Sequence, residues 1–276
     1  MPELQLSAGP IDYEDTGAGP VCVFLHGVAM AGSVWRHVVA ALAADFRCVV
    51  PTLPLGAHRR PMRADADLSL VGLGRLVAEF LERLDLRDVI LVGNDIGLAQ
   101  VVAADRPERI GRLVLTAQEA FDNYPPGWPG HAVHWAARVP GGLYALVQPL
   151  RLRALRRLPL AFGLMSKRKI PDAVTDAWLR PLMTQGEIRR DLAKYAGGHG
   201  KRDMMAATQR LASFNRPALV VWASEDRVMP RDHGERLAKL LPRGRLVEIP
   251  DSYTLIPEDQ PAALARAIRQ FAREPA

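Results

Sequence analysis

Val92-Gly93-Asn94-Asp95-Ile96-Gly97 is the stretch whose reading decides the fold. The apolar run VILV leads into it, and the small-residue segment GLAQVVAAD, with helical character, leads out. Gly-x-Asp-x-Gly between a strand and a helix marks a tight turn with Asp95 at its apex. The flanking glycines let the backbone pass closely, in a strained conformation, on both sides of that residue. Glycines also serve ordinary turns, so the rest of the chain has to separate an exposed nucleophile from a simple reversal.

Working outward, the same pattern repeats. PVCVFLHG is a continuous apolar run that ends at His26-Gly27 and passes through a small-residue loop to the helical SVWRHVVAALAADF. FRCVVPTLPLG, RIGRLVLTAQ, RPALVVWASED and GRLVEIPD are further buried-strand patterns, and LSLVGLGRLVAEFLERL, RDHGERLAKLL and QPAALARAIRQF carry helical spacing. ELQLS and IDYEDTG at the start read as two short strands. Strands alternating with helices predict a mostly parallel sheet covered on both faces. From residue 119 to 213 the alternation stops, in a segment with clustered Pro and Gly followed by Leu-, Arg-, Trp- and Met-rich helical patterns. The expected organisation is therefore one α/β core domain, residues 1–118 and 214–276, with a helical cap insertion, residues 119–213, over the carboxyl edge of the sheet, where open α/β sheets bind ligands.

Composition narrows the function classes. At 276 residues with 49% hydrophobic and 24% charged residues, the chain can bury a large core as a soluble protein. No apolar run approaches the ~18 residues of a membrane span, and MPELQLSAGP lacks the charged-then-apolar order of a secretion signal. Cys22 and Cys48 lie in strand-like runs and read as buried thiols, so the expected location is cytoplasmic. Cys/His spacing for a metal is absent, and no cofactor is expected. The net charge of +6 is concentrated in Arg151, Arg153, Arg156, Arg157, Lys167, Arg168 and Lys169, with leucines between the arginines. That pattern reads as the solvated face of amphipathic helices, not as a nucleic-acid reader.

Four blocks in order give the chain a recognisable likeness: His26-Gly27 with Trp35 following, Gly93 to Gly97, VVWASEDRVMP, and VEIPDSYTLIPEDQP. Over essentially its whole length it resembles an α/β-hydrolase fold protein. With Asp in place of Ser at the apex, it resembles the epoxide hydrolase and haloalkane dehalogenase branch, and no serine lies in Gly-x-Ser-x-Gly. The resemblance implies that Asp95 is the nucleophile and that the backbone N–H groups of Val28 and Ile96 form an oxyanion hole. It places the triad acid at Asp226. The segment in which the family carries its histidine reads Asp251-Ser252-Tyr253-Thr254, which puts Thr254 at the histidine position. A threonine hydroxyl cannot act as a general base for water near neutral pH.

Candidates to replace that base are Glu119 and Asp122, just after RLVLTAQ where some relatives keep an alternative acid, and His131 or His134. Among cap aromatics, Tyr124, Tyr144 and Tyr195 are candidate donors to an epoxide oxygen, and Trp128, Trp135 and Trp178 candidate halide contacts. Ile96 stands where dehalogenases usually carry Trp, which favours epoxides over halides. His26 is expected to order its loop, and His58-Arg59-Arg60 to form a solvated loop. The expected activity is cofactor-independent hydrolysis of a C–O or C–halogen bond in a small, largely apolar substrate, by a monomer or homodimer with no nucleic-acid or membrane partner. Two alternatives stay open: a non-hydrolytic isomerase, cyclase or lyase using Asp95 as acid and base, and a ligand-binding homologue without activity.

Overall fold

The apolar runs form the inner strands of a sheet that has eight strands among the described residues. The computed structural model describes residues 1–198 and 200–275. Its strands are β1 (Glu3–Leu6), β2 (Gly9–Thr16), β3 (Val21–Leu25), β4 (Arg47–Pro51), β5 (Val89–Asp95), β6 (Ile110–Gln118), β7 (Ala218–Ala223) and β8 (Gly244–Ile249). They lie in the order β1-β2-β4-β3-β5-β6-β7-β8. β2 pairs antiparallel with β1 and β4, and every later pairing is parallel. Every residue of β5 and β7 is buried, as expected for parallel strands covered on both faces.

The helices follow where the 3.6-residue spacing predicts them: α1 (Arg36–Leu42), α2 (Leu70–Arg83) and α3 (Leu98–Asp105) before the insertion. Ser69 starts α2, its Oγ accepting from Gly72 N at 3.1 Å. The segment between β6 and β7 contributes α4 (Gly127–Ala137), α5 (Gly142–Val147), α6 (Asp172–Thr184), α7 (Gly186–Gly197) and α8 (Lys201–Arg210). α9 (Arg231–Leu240), α10 (Ile256–Asp259) and α11 (Pro261–Ala272) complete the chain. α1 packs with α11 and α2 with α3. Within the insertion α4 contacts α5 and α7, whereas α8 packs against α3.

The basic stretch departs from its expected form. Residues 148–157 make two short 3-10 turns, Gln148–Arg151 and Arg153–Arg157, instead of amphipathic α-helices, because Pro149 and the irregular spacing of the leucines interrupt any longer helix. Arg156 is buried, not solvated: it donates to the Leu150 carbonyl at 2.8 Å and to Thr175 Oγ1 at 2.9 Å, and pairs with Asp176 at 2.6 Å. The loop at His58 also differs. Arg59 and Arg60 are exposed and pair with Asp12 and Glu3, but His58 is buried with Nε2 3.2 Å from Asp191 Oδ2, which also accepts from Met62 N at 2.7 Å.

That contact is one of several that lock the insertion to the core. Trp178 of α6, fully buried, donates through Nε1 to Ser33 Oγ at 2.8 Å. Asp259, at the end of α10, accepts from Ser166 Oγ, Lys167 N and Arg168 N at 2.8 Å each, and from Tyr253 N at 3.0 Å. One buried carboxylate thereby holds the insertion and the loop after β8 together, and nearby Glu258 pairs with Arg36 at the start of α1. Asp259→Ala removes the acceptor from three backbone donors, while the Ser166 hydroxyl keeps the Arg168 carbonyl at 2.9 Å, and is expected to cost roughly 2–4 kcal/mol. Urea unfolding followed by intrinsic fluorescence checks this; a loss below about 1 kcal/mol contradicts it.

Candidate active site

Asp95 closes β5 with φ of 69°, a left-handed conformation rare for a residue with a Cβ. Three features impose it. The β5/β6 register shifts between Asn94 and Asp95, so that Asp95 pairs with Gln118 and its side chain is re-aimed out of the sheet. The Ile96 N–H turns back to the Asn94 carbonyl at 2.9 Å, and the Glu119 N–H holds the Asp95 carbonyl at 2.9 Å. The glycines then fit by steric need: a Cβ on Gly93 would sit 2.5 Å from Ala99 Cβ, and one on Gly97 2.6 Å from Met204 Cε.

The loop after β3 approaches the carboxylate from the other side. Val28 N donates to Asp95 Oδ2 at 3.0 Å, and a Cβ on Gly27 would land on the same oxygen. His26 is what shapes this loop. Its ring, fully buried, has Nδ1 2.8 Å from the Gly27 carbonyl and accepts at Nε2 from Leu53 N at 2.8 Å. Burial lowers its pKa to about 4, so the ring is a neutral strut with Nδ1–H as donor.

Asp95 forms the floor of a cavity of about 340 Å³ roofed by the insertion. The walls are overwhelmingly apolar, with Leu, Val, Pro and Met side chains, and their polar members are Glu119, Tyr124, His134 and Tyr195. Among the described residues neither a Lys nor an Arg lines this space. Burial therefore dominates the electrostatics: it raises the Asp95 pKa to about 7, with the Val28 N–H opposing the rise and the Asp226 charge adding to it. Glu119 is raised well above the usual carboxylate range, first by burial and then by the Asp95 charge, with the Gly97 N–H opposing. Tyr195 is raised by burial and by the charges of Glu119, Tyr124 and Asp95, and Tyr124 by burial and Glu119. These four groups thus form one electrostatic cluster.

Asp226 stands behind it. Its Oδ1 accepts from Val228 N at 2.8 Å, Met229 N at 2.9 Å and Thr254 Oγ1 at 2.8 Å, and its pKa is raised to about 6, chiefly by burial. Thr254 is fully buried, spends its hydroxyl on Asp226 and does not line the cavity; nor does Asp226. Asn94 ties this pair to the turn: its Nδ2 lies 2.9 Å from the Thr254 carbonyl, 3.1 Å from that of Thr116 and 3.2 Å from that of Ala117. Asn94 is not among the residues that the sequence reading singles out, although a polar side chain inside the run VILVGND is a signal for it.

The candidate replacements separate cleanly. Glu119 is buried in the cavity wall, whereas Asp122, three residues on, is exposed and lies 3.7 Å from both Lys201 Nζ and His233 Nε2. His131 is exposed, and His134 lines the cavity edge-on to Tyr124. Tyr144 is exposed under Arg189. The three cap tryptophans do not contact the cavity: Trp128 and Trp135 are exposed and Trp178 is committed to Ser33, so none supplies a halide contact. Among the described residues no cluster of His, Cys, Asp and Glu suits a metal ion.

Comparison with known proteins places the chain. It is 28% identical over 279 residues to Haloalkane dehalogenase 2 of Mycobacterium tuberculosis, covering 95% of this chain and 91% of that protein. It is 26% identical over 246 residues to a 2-hydroxy-6-oxononadienedioate/2-hydroxy-6-oxononatrienedioate hydrolase of Cupriavidus pinatubonensis, covering 86% and 81%. Among solved structures, an ancestral haloalkane dehalogenase superposes with a TM-score of 0.77 at 21% identity, covering 99% of this chain and 98% of that one. A thermophilic esterase from Thermogutta terrifontis does so with a TM-score of 0.75 at 21% identity, covering 98% and 97%. At these identities the superpositions speak to the fold alone. The family model described as alpha/beta hydrolase fold matches residues 20–261. That span takes in the parallel strands, the turn at Asp95 and the roof above it, and the chain belongs to the α/β-hydrolase fold family.

Proposed function

We propose that this protein is a cofactor-independent hydrolase that opens an epoxide-type C–O bond of a small apolar substrate by attack of Asp95. The observation that carries the reading is the placement of Asp95: an apical carboxylate on the floor of an apolar cavity of about 340 Å³, with Oδ2 held by Val28 N. The free carboxylate oxygen displaces oxygen from carbon and forms an alkyl ester with the enzyme. Water then attacks the Asp95 carbonyl carbon, and the charge that develops on Oδ2 meets the Val28 N–H already in place. The Ile96 N–H, expected to share that task, is turned to Asn94 in the resting site; joining the hole requires it to exchange partners.

The leaving group argues for epoxides over halides. A departing halide needs N–H donors and no proton, whereas a departing alkoxide needs acidic protons. The walls offer the latter, in Tyr124, Tyr195 and Glu119, and no tryptophan. The relatives named as haloalkane dehalogenases support the Asp-nucleophile class, and the apolar lining without a cation supports an uncharged substrate.

A second reading draws on Thr254. Standing where the family's histidine is expected, it has its hydroxyl bound to Asp226 and cannot activate water. On this reading Asp95, with its pKa of about 7, shuttles a proton in an isomerisation or elimination. Single turnover in ¹⁸O-water separates the two. Attack by Asp95 puts the label into the Asp95 carboxylate and leaves the first-turnover diol unlabelled. Unlabelled Asp95 with conversion present removes the nucleophile reading, and ligand binding without conversion points to a binding protein.

Two expectations follow from the proton balance at Asp95. Attack requires the carboxylate, so kcat/KM rises with pH through about 7, and Asp95→Asn lowers turnover at least ~10³-fold, as loss of a nucleophile does. Stability runs the other way. The folded pKa of about 7 lies above the ordinary 3.8, so the stabilising protonated form is fully present below about pH 4 and is lost as pH rises through 7. At pH 8 the buried charge costs on the order of 4 kcal/mol, and Asp95→Asn is expected to raise Tm by roughly 5–10 °C. That gain should disappear near pH 4. Calorimetry across that range checks the sign; an equal Tm difference at both ends rejects it.

A further inference from the structure

We infer that Glu119 is the proton-carrying residue of this site, acid in the ring-opening step and base in the hydrolytic step, in place of the imidazole that the Thr254 position lacks. The assignment rests on Asp95 being the nucleophile and deepens that reading.

Glu119 is held where such a residue has to be. It follows directly on β6, its N–H bonds the Asp95 carbonyl at 2.9 Å, and its own carbonyl accepts from Gln100 Nε2 at 2.5 Å. Gln100 is oriented in turn by Thr208 Oγ1 of α8, 2.9 Å from Gln100 Oε1. The Glu119 side chain is 3% exposed and lines the cavity with Asp95, and its Oε2 has no hydrogen-bond partner among the described residues. A buried carboxyl oxygen left open toward a substrate cavity is costly unless it is protonated or used.

The rivals are placed otherwise. Asp226 has Oδ1 saturated by three donors; its Oδ2 is without a hydrogen-bond partner among the described residues and its charge reaches Asp95, but it does not line the cavity. His134 also lines the cavity, edge-on to Tyr124, but it is only half-buried, and burial and the charge of Arg138 lower its pKa. Glu119 both lines the cavity with Asp95 and is electrostatically coupled to it. Two carboxyls in one dry space hold a single negative charge between them, and the proton stays on the more strongly raised group.

The proton inventory closes through both steps. Asp95 carboxylate attacks the ring carbon, the C–O bond breaks, and the leaving oxygen takes the Glu119 proton; Tyr124 and Tyr195 lie on the same wall to hydrogen-bond that oxygen. Asp95 is now a neutral ester, so the repulsion that kept Glu119 protonated is gone and Glu119 is a carboxylate. It removes a proton from water as the water oxygen bonds to the Asp95 carbonyl carbon, with the oxyanion on Oδ2 facing Val28 N. Collapse expels the alkoxide, which takes the proton back from Glu119 and leaves as the second alcohol of a diol. The regenerated Asp95 carboxyl then passes its proton to Glu119.

The experiment uses the full-length enzyme, the variants Glu119→Gln and Glu119→Asp, and two probes read by intact-protein mass spectrometry and product formation. Styrene oxide needs a proton to leave; 1-iodobutane does not. In Glu119→Gln the epoxide step is expected to fall about 10²–10⁴-fold, while 1-iodobutane alkylates Asp95 at close to the wild-type rate and the butyl ester accumulates to one per chain. Glu119→Asp, which keeps the carboxyl group, recovers part of both steps, an outcome that loss of packing alone would not give. Glu119→Gln turning over styrene oxide like the wild type, or slowed equally with both probes and not improved by Asp, overturns the assignment. Wild-type protein that forms no adduct with either probe overturns the Asp95 reading itself, and this one with it.

Discussion

A carboxylate buried without a cation beside it is the constraint from which the rest of this site follows. Asp95 sits at φ 69° under an apolar roof, and the groups that meet it are a backbone N–H and other acids. Water would solvate such a charge far better than this cavity does, so the fold must hold it there by force. The sheet supplies that force. The register shift between β5 and β6, the Glu119 N–H on the Asp95 carbonyl and the close contacts at Gly93 and Gly97 leave the side chain no other direction. In the proposed reaction, destabilisation of the resting carboxylate and its reactivity are the same property, because forming a neutral ester relieves both.

Legibility in the sequence followed interaction range. The strand and helix runs, and the turn at Asp95, depend on neighbours within a few residues, and their patterns carry them. The convergence of Val28, Asp95 and Asp226 follows from chain order in a parallel sheet, whose loops at the carboxyl ends share one edge. What the pattern left open was decided by distant contacts. Glu119 and Asp122 are equivalent on paper. One is buried in the cavity wall and the other exposed, a choice set by Gln100 and Thr208, which are 19 and 87 residues away from the groups they contact at 119 and 121. Arg156 and His58 read as surface residues for the same reason: their acceptors, near Thr175 and Asp191, lie far along the chain. The cap tryptophans illustrate the converse, since aromatic content says nothing about which face of a helix turns inward.

Thr254 shows how a position can keep a structural duty without the chemistry expected there. Its hydroxyl donates to Asp226 Oδ1, its carbonyl receives Asn94, and the loop that bears it is held by Asp259. One oxygen of the acid after β7 is thereby held, and the turn at Asp95 stays anchored from behind. What changes is reach. A hydroxyl on a short side chain ends at Asp226, outside the cavity, and in the proposed reaction the acidic groups on the cavity wall carry the proton.

The anchoring of the roof carries a consequence for recognition. Asp259 with four donors, Trp178 on Ser33 and His58 on Asp191 join the insertion to the core at separate points along its length. The walls of the chamber are thus assembled when the chain folds, and an incoming molecule does not have to order a loop or bring two halves together. Affinity for an apolar guest then comes from transfer out of water into a preformed space, little diminished by conformational entropy. For the proposed small apolar substrate, selection then becomes a matter of girth and length measured against that outline.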